Sequence, residues 1–523
     1  MTLLMLVLLA LLCYSFFSFR LLYSLRKVPT AHWSSRFSSA RILWARWTGT
    51  ELKSLIEAHN RLGPIVLVGP QDLSVSSYQD GIRKVYDTGF PKPAPFYSMF
   101  NYYRSYLPRA RNAFTSLDRA EHGIHRRRTA TLYSKSALMQ SKHLCEVTDC
   151  IIYERLFPRL ESLLVNCGTG RLDGLDLSYR ICVDYLSSFL FGCCNSTNFL
   201  SFLSDGKAEL KNDPLELWRF NYENMSCQES FFVQEMPGLY KLFRALGTNL
   251  LPRRYSEGTK YLENWMSAMA DKADHTITLK PSKGLDLEAK DDPVVYETAK
   301  EAVKKDSPHL SLEAQKMQVQ SEMFDHICLV FGYALWYLAS QPDAQQKIHA
   351  ELEEHKIDMT SPIHQDPSGI DRSSRLDSLP YLHAVIDECL RMRPTSTLLP
   401  RTTPPDRSVS VAGIDIPPNT RINSFQWFVH RDPKKWDNVN DWDPERWFSV
   451  DRSGKKHDRE DVLWPFASGP RMCLGNHLTY YFMKHVLAAI FSRFVLSALP
   501  RDERQCTPGS PEDELPITLI LRT

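Results

Sequence analysis

The stretch Phe466-Ala-Ser-Gly-Pro-Arg-Met-Cys-Leu-Gly475 decides how the rest of this sequence is interpreted. An apolar pattern of helical period follows it from Leu478 to Phe494, so Cys473 is predicted to lie close to a helix N-terminus. Unpaired N–H groups and the positive end of the helix dipole stabilise a thiolate at such a position. Arg471 adds a cation to the same loop. A single cysteine is more often a buried structural residue, so the spacing of its neighbours decides between these interpretations.

Two further motifs precede this loop. Glu388 and Arg391 are separated by a helical i, i+3 step, which places both side chains on one helix face. Pro444-Glu-Arg-Trp447 follows, and Arg446 lies 27 residues before Cys473. An exposed Glu–Arg pair alone would contribute at most about 1 kcal/mol and would be an ordinary surface feature. The order of the motifs gives the pair more weight.

The order Phe-x-x-Gly-x-Arg-x-Cys-x-Gly resembles the haem-binding loop of the cytochrome P-450 family, and the two preceding motifs resemble that family's Glu-x-x-Arg helix and its second arginine. The resemblance extends over nearly the whole chain, to the strand-like residues 515–521. It implies the cytochrome P-450 fold, which is mainly α with small β-sheets. It also implies a membrane anchor and positive stop over residues 1–27 and a single catalytic domain over residues 28–523.

The resemblance assigns the residues around a haem b cofactor. Cys473 is expected to be the axial thiolate ligand of the iron, which favours O–O cleavage once oxygen is bound. Phe466 is expected to pack on the thiolate side, and backbone N–H groups near Gly475 are expected to tune the thiolate. The residues expected to neutralise the haem propionates are Arg126, Arg401 and Arg471. For Arg126, which follows His122 by one helical turn, a solvated basic turn is the alternative.

The resemblance also gives the Glu-x-x-Arg pair a structural role. In the family, the second arginine joins this pair in a buried network that supports the cysteine loop. The residues of this network are Glu388, Arg391 and Arg446. Removing one partner from such a buried network is costly, because an uncompensated charge stays behind.

The helix expected on the opposite haem face departs from the family pattern. It is predicted from Ser311, as N-cap, to Ala339, and it lacks the sequence Ala/Gly-Gly-x-Asp/Glu-Thr-Thr/Ser. In one alignment Asp325 takes the acid position and His326 the threonine position, and both are then candidates for proton delivery. A histidine in an apolar helix is more often a packed, hydrogen-bonded residue.

A second alignment accounts for the same helix equally well. Ser321, Glu322, Asp325 and His326 match a segment that precedes the motif in relatives, so about two turns of helix that contain the motif are missing after Ile327. A loss of about seven residues nearly preserves the helical phase at ~3.6 residues per turn, so the fold would survive it.

The N-terminus is predicted to anchor the chain in a membrane. Residues 3–19 are uncharged and apolar, and Arg20, Arg26 and Lys27 follow. A membrane span needs ~20 apolar residues, a length that is reached at Leu25 if Arg20 snorkels. Positive charges after the segment place the body in the cytosol. A cleaved signal peptide is the alternative, but a charged start and a small-residue cleavage site are not evident. The resemblance implies a single pass through the endoplasmic reticulum membrane.

Composition excludes several classes of function. The chain has 523 residues with 63 Lys+Arg against 61 Asp+Glu, so no basic field points to nucleic acid. Its 12 cysteines show no four-ligand zinc spacing and fit a reducing compartment. No dinucleotide or P-loop glycine motif is present, so electrons are expected from a separate protein. By resemblance, that protein is NADPH–cytochrome P-450 reductase.

Three hypotheses for the function follow. The first is a haem-thiolate monooxygenase that inserts one oxygen atom of O2 into a hydrophobic small molecule, most like fungal members of secondary metabolism. The second is a related haem protein with impaired or non-oxygenase chemistry, of an isomerase or dehydratase type or inactive, because the acid–threonine motif is missing. The third is a membrane-tethered interaction protein in which Cys473 is structural.

Overall fold

Helices form most of the chain. The computed structural model describes residues 25–101, 110–167, 170–204, 213–225, 228–283, 287–321, 328–362, 369–394, 399–449, 459–500 and 514–522. The α-helices in this part are α1 (Ala40–Trp47), α2 (Glu51–Leu62), α3 (Lys84–Asp87), α4 (Ala94–Tyr97), α5 (Arg119–Thr129), α6 (Lys135–Gln140), α7 (Lys142–Asp149), α8 (Phe157–Cys167), α9 (Gly174–Phe191), α10 (Pro214–Glu223), α11 (Phe231–Glu235), α12 (Pro237–Ala245), α13 (Arg253–Lys283), α14 (Val294–Asp306), α15 (Leu312–Ser321), α16 (Cys328–Ser340), α17 (Pro342–Glu354), α18 (Gly369–Ser378), α19 (Pro380–Met392), α20 (Gln426–His430), α21 (Arg459–Val462) and α22 (Asn476–Arg493). Shorter helical turns are Trp33–Arg36, Tyr78–Arg83, Ser98–Phe100, Cys150–Leu156, Phe199–Phe202, Pro444–Trp447 and Gly469–Arg471.

Within these described ranges, three small sheets accompany the helices. Their strands are β1 (Ile65–Gly69), β2 (Asp72–Val75), β3 (Gly170–Asp173), β4 (Arg401–Thr402), β5 (Val409–Val411), β6 (Ile414–Ile416), β7 (Arg421–Asn423), β8 (Phe494–Ala498) and β9 (Pro516–Leu521). The largest has the order β1-β2-β7-β4, in which β2 and β7 are parallel and the other pairs antiparallel. Strands β3, β9 and β8 form an antiparallel sheet, and β5 and β6 form a hairpin.

The core is built around helix α9, almost all of whose side chains are buried. A helix that is apolar on every side needs neighbours all round it. Helix α16 approaches it closely at Gly332, where an added Cβ would lie 3.3 Å from the Cα of Leu175. The ring of Phe482 on α22 packs at 4.7 Å from Tyr185 of α9 and at 5.1 Å from Phe331 of α16. Helix α22, which directly follows the cysteine loop, is thereby fixed to the centre of the molecule.

Two predicted features are confirmed. The strand-like residues 515–521 include β9. The oxygen of Ser311 accepts a hydrogen bond from the N–H of Ala314 at 3.2 Å, as an N-cap does. The long helix predicted after it is described as α15 and α16, and residues 322–327 between them lie outside the described part.

The predicted membrane anchor lies almost entirely in residues 1–24, outside the described part of the chain. From residue 25 onward, within the described ranges, no helix is both long and apolar enough to cross a bilayer. The anchor and the boundary at residue 27 therefore stay predictions.

The packing of Phe331 predicts a large stability effect. Its side chain is fully buried between α9 and α22, so Phe331→Ala should lower the free energy of unfolding by about 3–5 kcal/mol. Phe331→Leu retains most of the volume and should cost clearly less. Urea denaturation of both variants measures the difference, and equal losses would contradict the cavity argument.

Candidate functional site

The cysteine loop is a tight turn that requires glycine at one position. Gly469 has φ +70°, and an added Cβ would lie 2.5 Å from the carbonyl oxygen of Tyr86. Ala467 also adopts a positive φ of 57°, which is uncommon for a residue with a side chain. The loop closes through the N–H of Cys473, which donates to the carbonyl oxygen of Phe466 at 2.9 Å. The backbone of residue 86 thus approaches the loop so closely that position 469 has no room for a side chain.

Gly475 and Cys473 lie at the entrance to helix α22. Gly475 is the N-cap of this helix and has φ −79°, a conformation open to any residue. Its carbonyl oxygen accepts hydrogen bonds from both the N–H and the hydroxyl of Thr479. Cys473 is exposed, just ahead of the helix N-terminus. The predicted placement of the thiol at a helix entrance is therefore confirmed.

Helix α20 holds the start of the loop. The side-chain amide of Gln426 donates to the carbonyl oxygens of Trp464 at 3.1 Å and Pro465 at 2.8 Å. The N–H of Trp464 donates to Nε2 of His430 at 2.9 Å. Burial and the nearby Arg431 and Arg391 guanidiniums hold the pKa of His430 well below its usual value. The imidazole is therefore neutral and can accept this bond.

Glu388 lies at the centre of a buried network, as predicted. Its carboxylate is fully buried and accepts hydrogen bonds from five donors at 2.7–3.1 Å. The donors are Nε and Nη2 of Arg391, Nε of Arg446, Nε1 of Trp447 and the N–H of Asp443. Two cations and two neutral donors thus compensate one buried charge, which is the condition for tolerating it.

The network reaches the cysteine loop through direct hydrogen bonds. Nη1 of Arg391 donates to the carbonyl oxygen of His430 at 3.0 Å, and the ring of His430 accepts from Trp464. Arg391 and Arg446 also both donate to the carbonyl oxygen of Asp441 at 2.9 Å. The Glu388 carboxylate on α19 therefore holds two loops in place. Through Arg391 and Arg446 it fixes the loop at Asp441. Through Arg391 and His430 it fixes the start of the cysteine loop.

Four cations gather beside the loop, and none of them forms an ion pair with a carboxylate of the described residues. Nη1 of Arg126 donates to the carbonyl oxygen of Met472 at 2.7 Å, directly before Cys473. Within the described ranges, the side-chain hydrogen bonds of the four cations go to carbonyl or hydroxyl oxygens. Their acceptors are Phe114 for Lys92, Met472 for Arg126, Tyr97 and Pro400 for Arg401, and Ser116, Leu117 and Asp118 for Arg471.

The electrostatics of this cluster indicate an anionic ligand. Burial, together with the Arg401 and Arg471 guanidiniums, holds the pKa of Lys92 well below its usual value. Burial and Arg401 lower the pKa of Arg471. Burial and the surrounding cations lower the pKa of His122 to about 3. A group with two carboxylates would relieve this repulsion, so the side chains present fit the propionates of a haem.

Lys92 and Tyr97 were missed from the sequence. Nζ of Lys92 lies 4.6 Å from the ring centroid of Tyr97, and the hydroxyl of Tyr97 contacts Arg401. The only local signal was a lysine between two prolines, Pro91 and Pro93, ahead of an aromatic pair. Their partners are about 300 residues further along the chain, so only the fold brings the cluster together.

The predicted proton-delivery residues, Asp325 and His326, lie outside the described residues, as does Ile327. The described ends on either side are well anchored. The carbonyl oxygen of Ser321 accepts from Asn112 at 2.7 Å, and that of Cys328 accepts from the hydroxyl of Ser178 at 2.5 Å. The choice between the two alignments of this helix stays open.

The fold and these motifs agree with a comparison against protein families. The family model of Cytochrome P450 matches residues 40–516, which is most of the chain. The chain belongs to the cytochrome P450 family. Proteins of this family bind haem through a cysteine thiolate, so haem b is the cofactor of this cytochrome P450.

Curated relatives from fungi match most of the chain at low identity. Cytochrome P450 monooxygenase aflV of Aspergillus parasiticus is 24% identical over 90% of this chain and 84% of its own length. Cytochrome P450 monooxygenase hepC of Aspergillus oryzae is 25% identical over 86% and 83%. Cytochrome P450 monooxygenase stcB of Emericella nidulans is 23% identical over 91% and 83%. The similarity therefore extends along the whole body of the cytochrome P450.

The Glu388 network predicts a strong and local stability effect. Glu388→Ala leaves two buried guanidiniums without their carboxylate, so it should lower the free energy of unfolding by about 3–5 kcal/mol. Glu445→Ala is the matched control, because this neighbouring glutamate pairs with Lys347 at the surface and should cost no more than about 1 kcal/mol. Urea denaturation measures both variants. Similar losses would show that Glu388 has no special role.

Proposed function

We propose that this cytochrome P450 is a haem-thiolate monooxygenase that inserts one oxygen atom of O2 into a hydrophobic small molecule. One observation carries the proposal: the loop of Cys473 is braced by the Glu388 network on one side and bordered on the other by four cations that form no ion pair within the described residues. When bound, haem supplies the activation of O2. The chain supplies the thiolate, the counter-ions and the enclosure.

The residues divide into three roles. Cys473 is the axial ligand, and the Phe466 carbonyl oxygen keeps its backbone in place through the N–H of Cys473. The Phe466 ring covers the thiolate side, and the turn at Gly475 starts the helix whose N–H groups stabilise negative charge. The cations proposed to pair with the propionates are Lys92, Arg126, Arg401 and Arg471.

The electrons and the substrate come from outside the chain. Since the sequence contains no dinucleotide-binding motif, the proposed electron donor is a separate NADPH–cytochrome P450 reductase. Three relatives that match most of the chain are fungal proteins named as monooxygenases. They support a role in the oxidation of a fungal secondary metabolite.

Exposed apolar side chains support membrane attachment. Trp33, Phe37 and Trp44 near the start of the body are each more than 60% exposed. Helix α12 has no buried residue, and Leu242 and Leu246 at its end are also exposed. Together with the predicted anchor over residues 1–27, these side chains favour a single-pass protein of the endoplasmic reticulum with the catalytic domain, residues 28–523, in the cytosol.

A second function rests on the sequence of the helix that is predicted from Ser311 to Ala339 on the opposite haem face, here called the distal helix. The stretch from Ser321 to Gly332 contains no acid–threonine pair, and the family depends on such a pair for proton delivery. A haem protein without efficient oxygen activation, of an isomerase or dehydratase type or inactive, would tolerate that loss. Asp325 and His326 are the proposed substitutes if oxygen activation is intact.

The ligand assignment predicts a spectroscopic loss. The haem-loaded protein should give a thiolate-type CO difference spectrum, and Cys473→Ala and Cys473→His should abolish it, because the axial sulfur is removed. Cys194→Ala is the control, since it removes another exposed cysteine. A normal thiolate-type spectrum from Cys473→Ala would refute the assignment.

The cation cluster predicts that haem retention depends on pH. A propionate beside Lys92 raises the lowered pKa of this ammonium, so haem binding takes up a proton at pH values between the two pKa values. Affinity should therefore fall as pH rises through the interval between these two pKa values, and Lys92→Met should weaken binding and flatten this dependence. The rate of haem loss measures it, with exposed Lys84→Met as control. An unchanged pH profile in Lys92→Met would contradict the pairing.

The distal helix predicts poor coupling. Without the threonine, NADPH consumption should exceed product formation for any substrate, because no positioned hydroxyl directs protons to the site of oxygen activation. Parallel assays of NADPH oxidation and product measure the ratio. Tight coupling would exclude the impaired function and would show that other groups deliver protons.

A further inference from the structure

Helix α19 contacts the cysteine loop by a second path, which does not pass through Glu388. Tyr480 on α22 places its ring 5.9 Å from the ring of Phe466, at an interplanar angle of 56°. Its hydroxyl donates to Oδ1 of Asp387 at 2.6 Å. Asp387 is the residue next to Glu388 and is fully buried. The aromatic residue that opens the loop therefore rests on a ring that is tethered to α19.

The tether is held by several groups. The ring of His383 lies parallel to that of Tyr480, with centroids 4.9 Å apart. Oδ2 of Asp387 accepts from Nε of Arg459 at 2.6 Å and lies 3.5 Å from Nε2 of His383. Burial raises the pKa of Asp387 to about 6 against the opposing effects of Tyr480, Arg459 and Lys484. A carboxylate kept here against its desolvation cost is consistent with a positioning role.

The geometry connects this tether to the thiol in two steps. Tyr480 fixes where the Phe466 ring can lie, and the Phe466 carbonyl oxygen accepts the N–H of Cys473. The other path, through His430, acts on the backbone of Trp464. The path through Tyr480 acts on the side chain of Phe466, which is expected on the thiolate side.

We propose that Tyr480 and Asp387 are positioning residues for the thiolate ligand: together they lock the Phe466 ring and so hold Cys473 in its ligating position. The two residues act through Phe466 and touch no reacting atom. The inference rests on haem binding alone, so it holds for either function proposed above and for any substrate.

The test uses the full-length, haem-loaded protein and three variants. Tyr480→Leu removes the ring, and Tyr480→Phe removes only the hydroxyl that donates to Asp387. Asp387→Asn removes the charge of the acceptor and with it the ion pair to Arg459. Tyr481→Leu is the matched control, because Tyr481 is the next residue of α22, is also buried, and stacks its ring on His485 at 3.9 Å. The readout is the rate at which the ferrous CO complex loses its thiolate-type absorption band at a fixed, low urea concentration. Thermal unfolding of each variant serves as the measure of global stability.

The expected order of rates is specific. Tyr480→Leu should lose the band at least fivefold faster than the wild type, Tyr480→Phe and Asp387→Asn at least twofold faster, and Tyr481→Leu within twofold of the wild type. A rate for Tyr480→Leu within twofold of the wild type, or equal to that of Tyr481→Leu, would overturn the proposal. If Tyr480→Leu does not fold, Tyr480→Phe and Asp387→Asn decide alone, and unchanged rates in both would overturn it. If the protein does not bind haem at all, the wild type also lacks the thiolate-type band. That outcome is therefore distinguished from a failure of the positioning role.

Discussion

The carboxylate of Glu388 is the interaction on which the site depends. A fully buried anion is stable only when donors surround it, and here five donors converge on two oxygens. Two of them belong to Arg391 on α19, and the other three belong to residues 443–447. The cost of burying the charge therefore favours one arrangement of these two segments, because most alternative arrangements leave a charge unpaired.

The thiol loop uses this arrangement as its foundation. Its own backbone is strained, with Ala467 and Gly469 both at positive φ, and such a turn persists only when its surroundings determine it. The surroundings are hydrogen bonds to the carbonyl oxygens of Trp464 and Pro465, the neutral ring of His430, and the aromatic contact at Phe466. The loop is thus shaped mainly from its N-terminal side, while helix α22 fixes its other end in the core.

Sequence reasoning found the parts of the site that are local. The cysteine loop, the pair of Glu388 and Arg391, and the strand β9 have their determinants within a few residues, so motifs and periodicity predict them. Lys92 and Tyr480 were not predicted, because their roles depend on Arg401 and Phe466, which only tertiary packing brings close. The role of His430 as an acceptor likewise follows only from its neutral, buried ring. The proton-delivery residues of the distal helix could not be assigned for another reason: its sequence aligns with the family pattern equally well in two registers.

The group of Lys92, Arg126, Arg401 and Arg471 has a consequence beyond the site. Like charges held together repel each other, so the cofactor-free chain folds against a penalty that the cofactor removes as a counter-ion. A ligand that binds only the folded state stabilises it by mass action, and proteases remove chains that remain open. The cellular level of this protein would then follow the supply of haem, even at a constant rate of synthesis.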